Sequence, residues 1–433
     1  MIARVLELAK RRGAAADALL RDTTSLSLRY ETGRLKESEL SQEAGLNLRV
    51  LASGRAGVAG TTDLTAYDDV VERAFASAAE GEELRVELPG PANLPEVATF
   101  DDRAAALPVA ALADLGRGLL ERLNRPGWQV NAQVDRAVET TTFASTTGQS
   151  FTYRSSAVNV AIEVTRVAGD DVLMVGDSLD AAGVPAASDL ERMVREIAAK
   201  VERADRIVEP PEGRLPVLFT PEGSDAVLMP LRQALSGKTV LQGISPLGGK
   251  IGEPLFDTLL NVRDEPLLTT RLGTRPADDE GVPSSPLPLV ERGVVKAFVY
   301  DLETAARAGV ASTGHGQRST FSKPSISFSN LVLGAGTLDE EGLLREMGRG
   351  LVVEDLIGVG QGNVIGGAFS HPVALAWRVE RGEIVGRVKD AAVAGNAYEL
   401  LKRIRALGRE VKWIGGSRAV PPLVLDGVSI ARR

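Results

Sequence analysis

Apolar residues return at helical spacing in the opening segment MIARVLELAKRR, where Ile2, Val5, Leu6 and Ala9 share a face and Gly13 stands as the stop. The pattern then changes to alternation. Leu26, Leu28 and Tyr30 mark one strand; Leu46, Leu48 and Val50 mark another, with Asn47 and Arg49 on the opposite, solvent-facing side of a half-buried strand. Ser53-Gly54 reads as a hairpin turn. Thr65 with Asp68 predicts a capped helix carrying Tyr67, Val70, Val71, Ala74, Phe75 and Ala78 on one face, ended by Gly81. After a connector with Pro89, Pro91 and Pro95 the order recurs: a helix over 110–123, strands over 129–139, 151–167 and 172–178, and a helix capped by Ser188 and Glu191. Helix, strands, helix occurs twice, which suggests a duplicated unit with halves 1–88 and 107–207, although no residue-level identity links them.

The pair Pro210-Pro211 can continue neither a helix nor a central strand, so it separates an N-terminal domain, 1–207, from a C-terminal one, 214–433. Thr220-Pro221 predicts a helix start, with a kink or early end at Pro230. The glycine-rich stretch 236–252 is read as a loop without regular structure. Ile326, Phe328 and Leu331–Leu333 suggest one strand, Thr337 with Glu340 a helix cap, and 351–353 a strand. Residues 373–379, the turn Arg381-Gly382 and 384–388 form a hairpin, and 398–407 the last helix. The fold class is α+β, its C-terminal half mostly antiparallel sheet with short helices.

Composition removes several function classes. With no cysteine, disulfides, thiolate nucleophiles, iron–sulfur clusters and Cys-bound zinc are excluded. A net charge of −8 with no basic cluster argues against nucleic acid as a partner. No apolar run approaches the about 20 residues of a membrane span, and the first segment lacks the features of a signal peptide, so a cytoplasmic address is expected.

The remaining chemistry is sparse. Gly237-Lys238-Thr239 lacks the glycine of a phosphate loop at Arg232, and Gly358, Gly360 and Gly362 are followed by more glycine and Pro372 instead of a dinucleotide-binding helix. Asp278-Asp279-Glu280 does not match a calcium loop and reads as a solvated acidic turn. The only two histidines are His315, in the polar segment Ser312–Thr320, and His371, beside a glycine-rich loop. They form no helical pair for a metal; a hydrolase site at His315 and a structural role for His371 are the alternatives considered.

Several short segments share an order and spacing. They are Ala44-Gly-Leu-Asn-Leu-Arg-Val-Leu51, Gly54-Arg55, Gly60-Thr-Thr-Asp63, Ala144-Ser-Thr-Thr-Gly148, Asp278-Asp-Glu-Gly281, Leu289-Val-Glu-Arg-Gly293, Ser312-Thr-Gly314, Val379-Glu-Arg-Gly-Glu383 and Ala394-Gly-Asn396. Together they resemble the TldD/PmbA family over nearly the whole chain. In that family the TldD-type member carries an H-E-x-x-x-H helix and a later cysteine as zinc ligands. It is the metallopeptidase half of a heterodimer enclosing a channel for unfolded peptides. The resemblance sets Pro221-Glu-Gly-Ser-Asp-Ala226 against that helix, so Pro221 and Ala226 replace the histidines and only Glu222 survives in type. Neither replacement offers zinc a lone pair. The chain is thus similar to the PmbA (TldE-like) member, but it has Gly366-Gly-Ala-Phe-Ser-His371 where Gly-Asp-Phe/Tyr-Ser-Arg-Gly would be expected.

The implied function is a metal-free subunit of a metallopeptidase complex that acts on unfolded or small peptides. Its partner would be a TldD-like zinc-bearing homologue or a second copy of itself; the alternative is a stand-alone homodimeric peptide-binding protein. Channel candidates are Glu222, Thr313, His315, Arg318, Gly367 and His371, with no catalytic residue, metal ligand or cofactor assigned.

Overall fold

Leu46, Leu48 and Val50 face a layer of helices, as their alternation predicts, and so do Leu26, Leu28, Val130, Val134, Val158, Val160 and Ile162. The computed structural model describes residues 1–84 and 86–433. Its first half runs α1 (Ile2–Arg11), β1 (Ala15–Glu31), β2 (Arg34–Ala52), β3 (Arg55–Thr61), α2 (Tyr67–Ala79), α3 (Asp102–Ala105), α4 (Val109–Leu123), β4 (Trp128–Ser145), β5 (Ser150–Ala168), β6 (Asp171–Ala181) and α5 (Ala187–Arg203). The strands form one antiparallel sheet ordered β3-β2-β1-β4-β5-β6, so each half contributes three consecutive strands and the two triplets meet at β1 and β4. On one face α1 and α2 cover Ala16, Ala18, Leu46, Leu48 and Val50, while α4 and α5 cover Leu28, Val134, Val160 and Ile162. Ser53 (φ 51°) and Gly54 (φ 76°) make the predicted hairpin turn, whose left-handed residues match the strand twist.

The predicted caps are not used. Ala66 and Ala186 precede α2 and α5 without side-chain caps; before α2, Thr65 is drawn into a turn in which Asp63 accepts from its amide and hydroxyl. Asn47 and Arg49 are also not solvent-facing: they are 1% and 3% exposed, because loops of the C-terminal half cover that end of the sheet.

That half runs β7 (Ile207–Val208), β8 (Gly213–Phe219), α6 (Asp225–Ala234), α7 (Gly237–Leu241), β9 (Val262–Asp264), β10 (Leu287–Glu291), β11 (Val294–Val295), α8 (Leu302–Ala308), β12 (Gly316–Gln317), β13 (Ser325–Ile326), β14 (Leu331–Leu333), α9 (Glu340–Met347), β15 (Gly350–Leu356), β16 (Ala368–Glu380), β17 (Glu383–Val388), β18 (Ala391–Asn396), α10 (Ala397–Leu400), β19 (Ile404–Leu407), β20 (Lys412–Ile414), β21 (Arg418–Val420) and β22 (Leu423–Arg432). β15 pairs with β8 on one side and β16 on the other, so β8, β22, β18, β16 and β15 close into a ring. The apolar face of α6, with Val227, Leu228 and Leu231, joins the same core as Phe219, Val353 and Val393.

Several sequence expectations change here. Proline does not end α6, which continues past Pro230 to Ala234; the Pro230 carbonyl lies 3.1 Å from the Tyr398 hydroxyl. The helix starts at Asp225, a full turn after Thr220. Within 236–252, Gly237–Leu241 is helical. The strand expected through Ile326 and Leu333 is two strands in different sheets, interrupted where Ser329 and Asn330 turn to bond Asp264 and Glu265. Asp339, not Thr337, caps α9. The last helix is one turn, and Ile404–Leu407 pairs with β22 because burying that apolar run against the sheet outweighs its helical period. Among the described residues no helix is long and apolar enough to cross a membrane.

Leu48 and Leu40 lie on the same helix-bearing side of β2, but Leu48 is fully buried and Leu40 is 70% exposed. Leu48→Ala is expected to lower the unfolding free energy by about 2–5 kcal/mol, and Leu40→Ala by about 0.5 kcal/mol or less, measured by urea denaturation.

Candidate functional site

A helical pair of metal ligands must project from a helix, and Pro221-Glu-Gly-Ser-Asp-Ala226 does not form one. Residues 221–224 are a turn in which the Ser224 hydroxyl donates to the Pro221 carbonyl at 2.6 Å, and only Asp225 and Ala226 belong to α6. The expected helical placement of this segment is therefore corrected. Any helical counterpart must fall within Asp225–Ala234, which contains no His, Cys or Glu, and its one carboxylate, Asp225, is paired with Arg418.

Beside α6 lies a hollow of about 140 Å³, walled by Met229 and Pro230, by Val359 and Gln361 of the glycine-rich loop, and by Phe369 and His371 of β16. Gly358, Gly360 and Gly362 all have positive φ (77°, 90° and 78°), a sequence of turns that cannot open a nucleotide-binding helix. Gly367 stands behind the hollow: a β-carbon there would lie 2.5 Å from the Tyr398 ring, whose hydroxyl donates to the Ile365 carbonyl at 2.7 Å. His371 stacks on Phe369 with ring centroids 5.9 Å apart. Burial holds its imidazole below the ordinary range, opposed by a hydrogen bond to the Ile357 backbone. One imidazole with amide, hydroxyl and apolar neighbours does not fit a zinc site, which takes three or four N, S or O ligands around one point. Among the described residues no group of three His, Cys, Asp or Glu is placed to hold a metal.

Glu222 sits away from the hollow, in a seam between the two halves. Its carboxylate accepts from Lys412 at 2.5 Å, and the same ammonium reaches Asp177 of β6 at 2.6 Å. Burial pushes the Glu222 carboxyl up, but Lys412 and Lys200 outweigh it and hold it below its ordinary value. Lys200 of α5 pairs with Glu354 at 2.7 Å, and Glu354 also accepts from the Trp377 indole at 3.0 Å.

A second seam overturns the solvated reading of Asp278-Asp279-Glu280. These carboxylates are 0%, 3% and 0% exposed. Arg21 of β1 donates to both oxygens of Asp279 at 2.7 Å, and Arg49 of β2 bridges Asp17 and Glu280. Arg318 reaches Asp17 at 2.6 Å with its side chain and Asp279 at 2.8 Å with its amide. Asp278 accepts from the amides of Glu280, Val282 and Gly316. Asn47 donates to the carbonyls of Ser319, Thr320 and Ser322 at 2.9–3.0 Å. Burial and the neighbouring Glu280 charge push the Asp278 carboxyl up to about 7.

His315 orders the loop that supplies Gly316 and Arg318. Its Nε2 lies 3.1 Å from Asp264, and its Nδ1 lies 2.8 Å from the Thr313 carbonyl and 2.9 Å from the Thr313 hydroxyl. Ser329 donates to the same Asp264 oxygen. Asp264 thus stands between Ser and His, so the imidazole cannot take the serine proton as a hydrolase requires. The six sequence candidates divide accordingly. His371 lines the hollow, with Gly367 next to its lining strand; Arg318 joins the Asp17 seam, Thr313 and His315 sit beside Asp264, and Glu222 joins the Lys412 seam. Met229, Phe369 and Ser370 at the hollow, and Asp17 and Arg49 at the seam, were not singled out as site residues, since each follows ordinary helix or strand patterning.

A model of the PmbA/TldA metallopeptidase C-terminal domain matches residues 212–432, and one of domain 1 of the same group matches residues 16–78. A metalloprotease of Methanothermobacter thermautotrophicus is 26% identical over 411 residues, covering 92% of this chain and 88% of that protein. A metalloprotease PmbA homologue of Haemophilus influenzae is 24% identical, covering 94% and 90%. The crystal structure of TldE from Thermococcus kodakarensis shares the fold, with a TM-score of 0.91 at 24% identity over 99% of both chains.

Arg49→Met leaves Asp17 and Glu280 buried without this shared cation, and is expected to destabilise the protein by about 3–5 kcal/mol in urea unfolding. Asp278 gives a pH signature. The folded state keeps a proton that the unfolded chain releases near pH 4, so this contribution is full below about pH 4 and lost as pH rises through about 7. Asp278→Asn is expected to flatten the decline of the denaturation midpoint between about pH 5 and 8, whatever constant cost it adds.

Proposed function

Because this chain belongs to the TldD/PmbA metallopeptidase family, we propose that it is the metal-free, PmbA/TldE-like subunit of a peptide-cutting complex and works beside a zinc-bearing TldD-like homologue in the cytoplasm. The observation that carries this reading is α6. The helix on which a metallopeptidase of this kind would present its ligands offers only Asp225, already bound to Arg418, and packs its remaining length into an apolar core. The chain cannot activate water on zinc from these positions. What it keeps beside them is a hollow with a mixed apolar and hydrogen-bonding lining, suited to holding peptide instead of cutting it. The buried seams support a scaffolding role, because they fix the N-terminal sheet to the C-terminal half that contains the hollow.

A stand-alone homodimer that binds peptides without cleaving them is the second reading, and one experiment separates the two. The purified chain is expected to contain no stoichiometric zinc by elemental analysis and to leave unfolded casein intact. It should co-elute with a zinc-bearing homologue and support chelator-sensitive proteolysis only in that mixture. Cleavage by the pure chain in the presence of chelator would overturn both readings; a self-dimer indifferent to the homologue would select the second.

A further inference from the structure

α6 buries all of its surface except one stripe. Asp225, Met229, Arg232 and Gln233 are its side chains that are not buried. The first three are spaced by four and then three residues, so they stand above one another on successive turns. Asp225 and Met229 line the hollow, and Arg232 follows one turn further along. The only carboxylate of the stripe, Asp225, is bound by Arg418 of β21, and among the described residues Arg232 pairs with no carboxylate. Burial and the charge of Arg418 push the Arg232 guanidinium below its ordinary value, and Asp225 opposes them without reversing the shift. A cation in the last turn of a helix meets the partial negative charge of the helix end. That accounts for one positive residue here, but not for a second guanidinium brought toward it with a single carboxylate between them. Two cations and one anion in a partly desolvated place leave one positive charge over, and the chain itself does not supply its counter-ion.

We propose that Arg232, with Arg418 at its side, binds a carboxylate of the peptide held at the hollow, and so gives this subunit a preference for acidic peptides. The inference rests on the peptide-handling reading above, and deepens it by naming a charge preference and the residue that sets it. A carboxylate is the group that fits, because a guanidinium offers two parallel N–H donors to its two oxygens, and Asp225 already meets Arg418 as a carboxylate. One helical turn, about 5 Å, separates Arg232 from the level of Met229, so a neighbouring residue of the same peptide can carry it. Both an acidic side chain and a free C-terminus present this chemistry.

The test uses the full-length chain without any partner and three fluorescein-labelled hexapeptides, followed by fluorescence anisotropy. One alternates leucine and glutamine and ends in an amide; the second replaces its glutamines by glutamates; the third keeps the glutamines but ends in a free carboxylate. An acidic peptide is expected to bind about tenfold more tightly than the neutral one, the scale of one charge-assisted bond at a partly exposed site. A gain with glutamate alone assigns the site to side chains, a gain with the free end alone to C-termini, and both together to any carboxylate. Arg232→Met should lower the acidic peptides to the affinity of the neutral one, and Arg232→Lys should recover part of the gain, since it keeps the charge but not the fork. Asp225→Asn, which releases Arg418, should enlarge the gain, and raising sodium chloride from about 0.05 to 0.5 M should shrink it. Equal binding of the three peptides, binding of none, or a gain that survives Arg232→Met would overturn the proposal. So would an Arg232→Met chain that loses only stability in urea, the result for a cation that serves the helix end alone. Co-elution and proteolysis with a zinc-bearing homologue do not depend on peptide charge, so they can succeed where this inference fails. Charge-selective binding with no such complex would leave this inference standing and remove the complex reading.

Discussion

Asp17, Asp279 and Glu280 meet Arg21, Arg49 and Arg318 where the N-terminal sheet crosses the loops of the C-terminal half, nearly all of them out of contact with water. Charges buried this deeply are tolerable only when each is paired and its remaining oxygens or protons are bonded. Pairing here requires both halves of the chain, since the sheet supplies Asp17, Arg21 and Arg49 and the loops supply the rest. The network therefore holds one docking geometry and penalises intermediate ones. Asn47 sharpens this by closing on the backbone carbonyls of Ser319, Thr320 and Ser322, and Gly60 lets Thr320 approach so near that a β-carbon would lie 1.8 Å from its carbonyl oxygen.

The other seam, through Glu222, Lys412, Asp177, Lys200 and Glu354, ties β6 and α5 to β15 and to the turn just before α6. Glu222 is one anchor of this ion-pair network, and the turn 221–224 directs its carboxylate to the seam instead of along the helix.

The alternating strands, the hairpin turns at Ser53-Gly54 and Arg381-Gly382, and the helices with a clear apolar face were legible in the sequence because each depends on neighbours within a few residues. Elements that depend on distant partners were not. Residues 404–407 follow helical periodicity but pair with β22, and Ile326 and Leu331 form one apolar run but join different sheets. Of the site, the absence of thiols and of paired imidazoles was visible at once, whereas the hollow arises from three segments far apart in the chain.

The sequence by itself determined the chemistry this protein lacks and the local form of most elements, because residue type and short-range spacing carry that information. Tertiary structure alone decided which polar residues are buried. Asp278-Asp279-Glu280 and Arg49 look like surface residues until the strands of one half lie over the loops of the other, because the favourable energy of a buried charge resides in its partner and not in the residue itself.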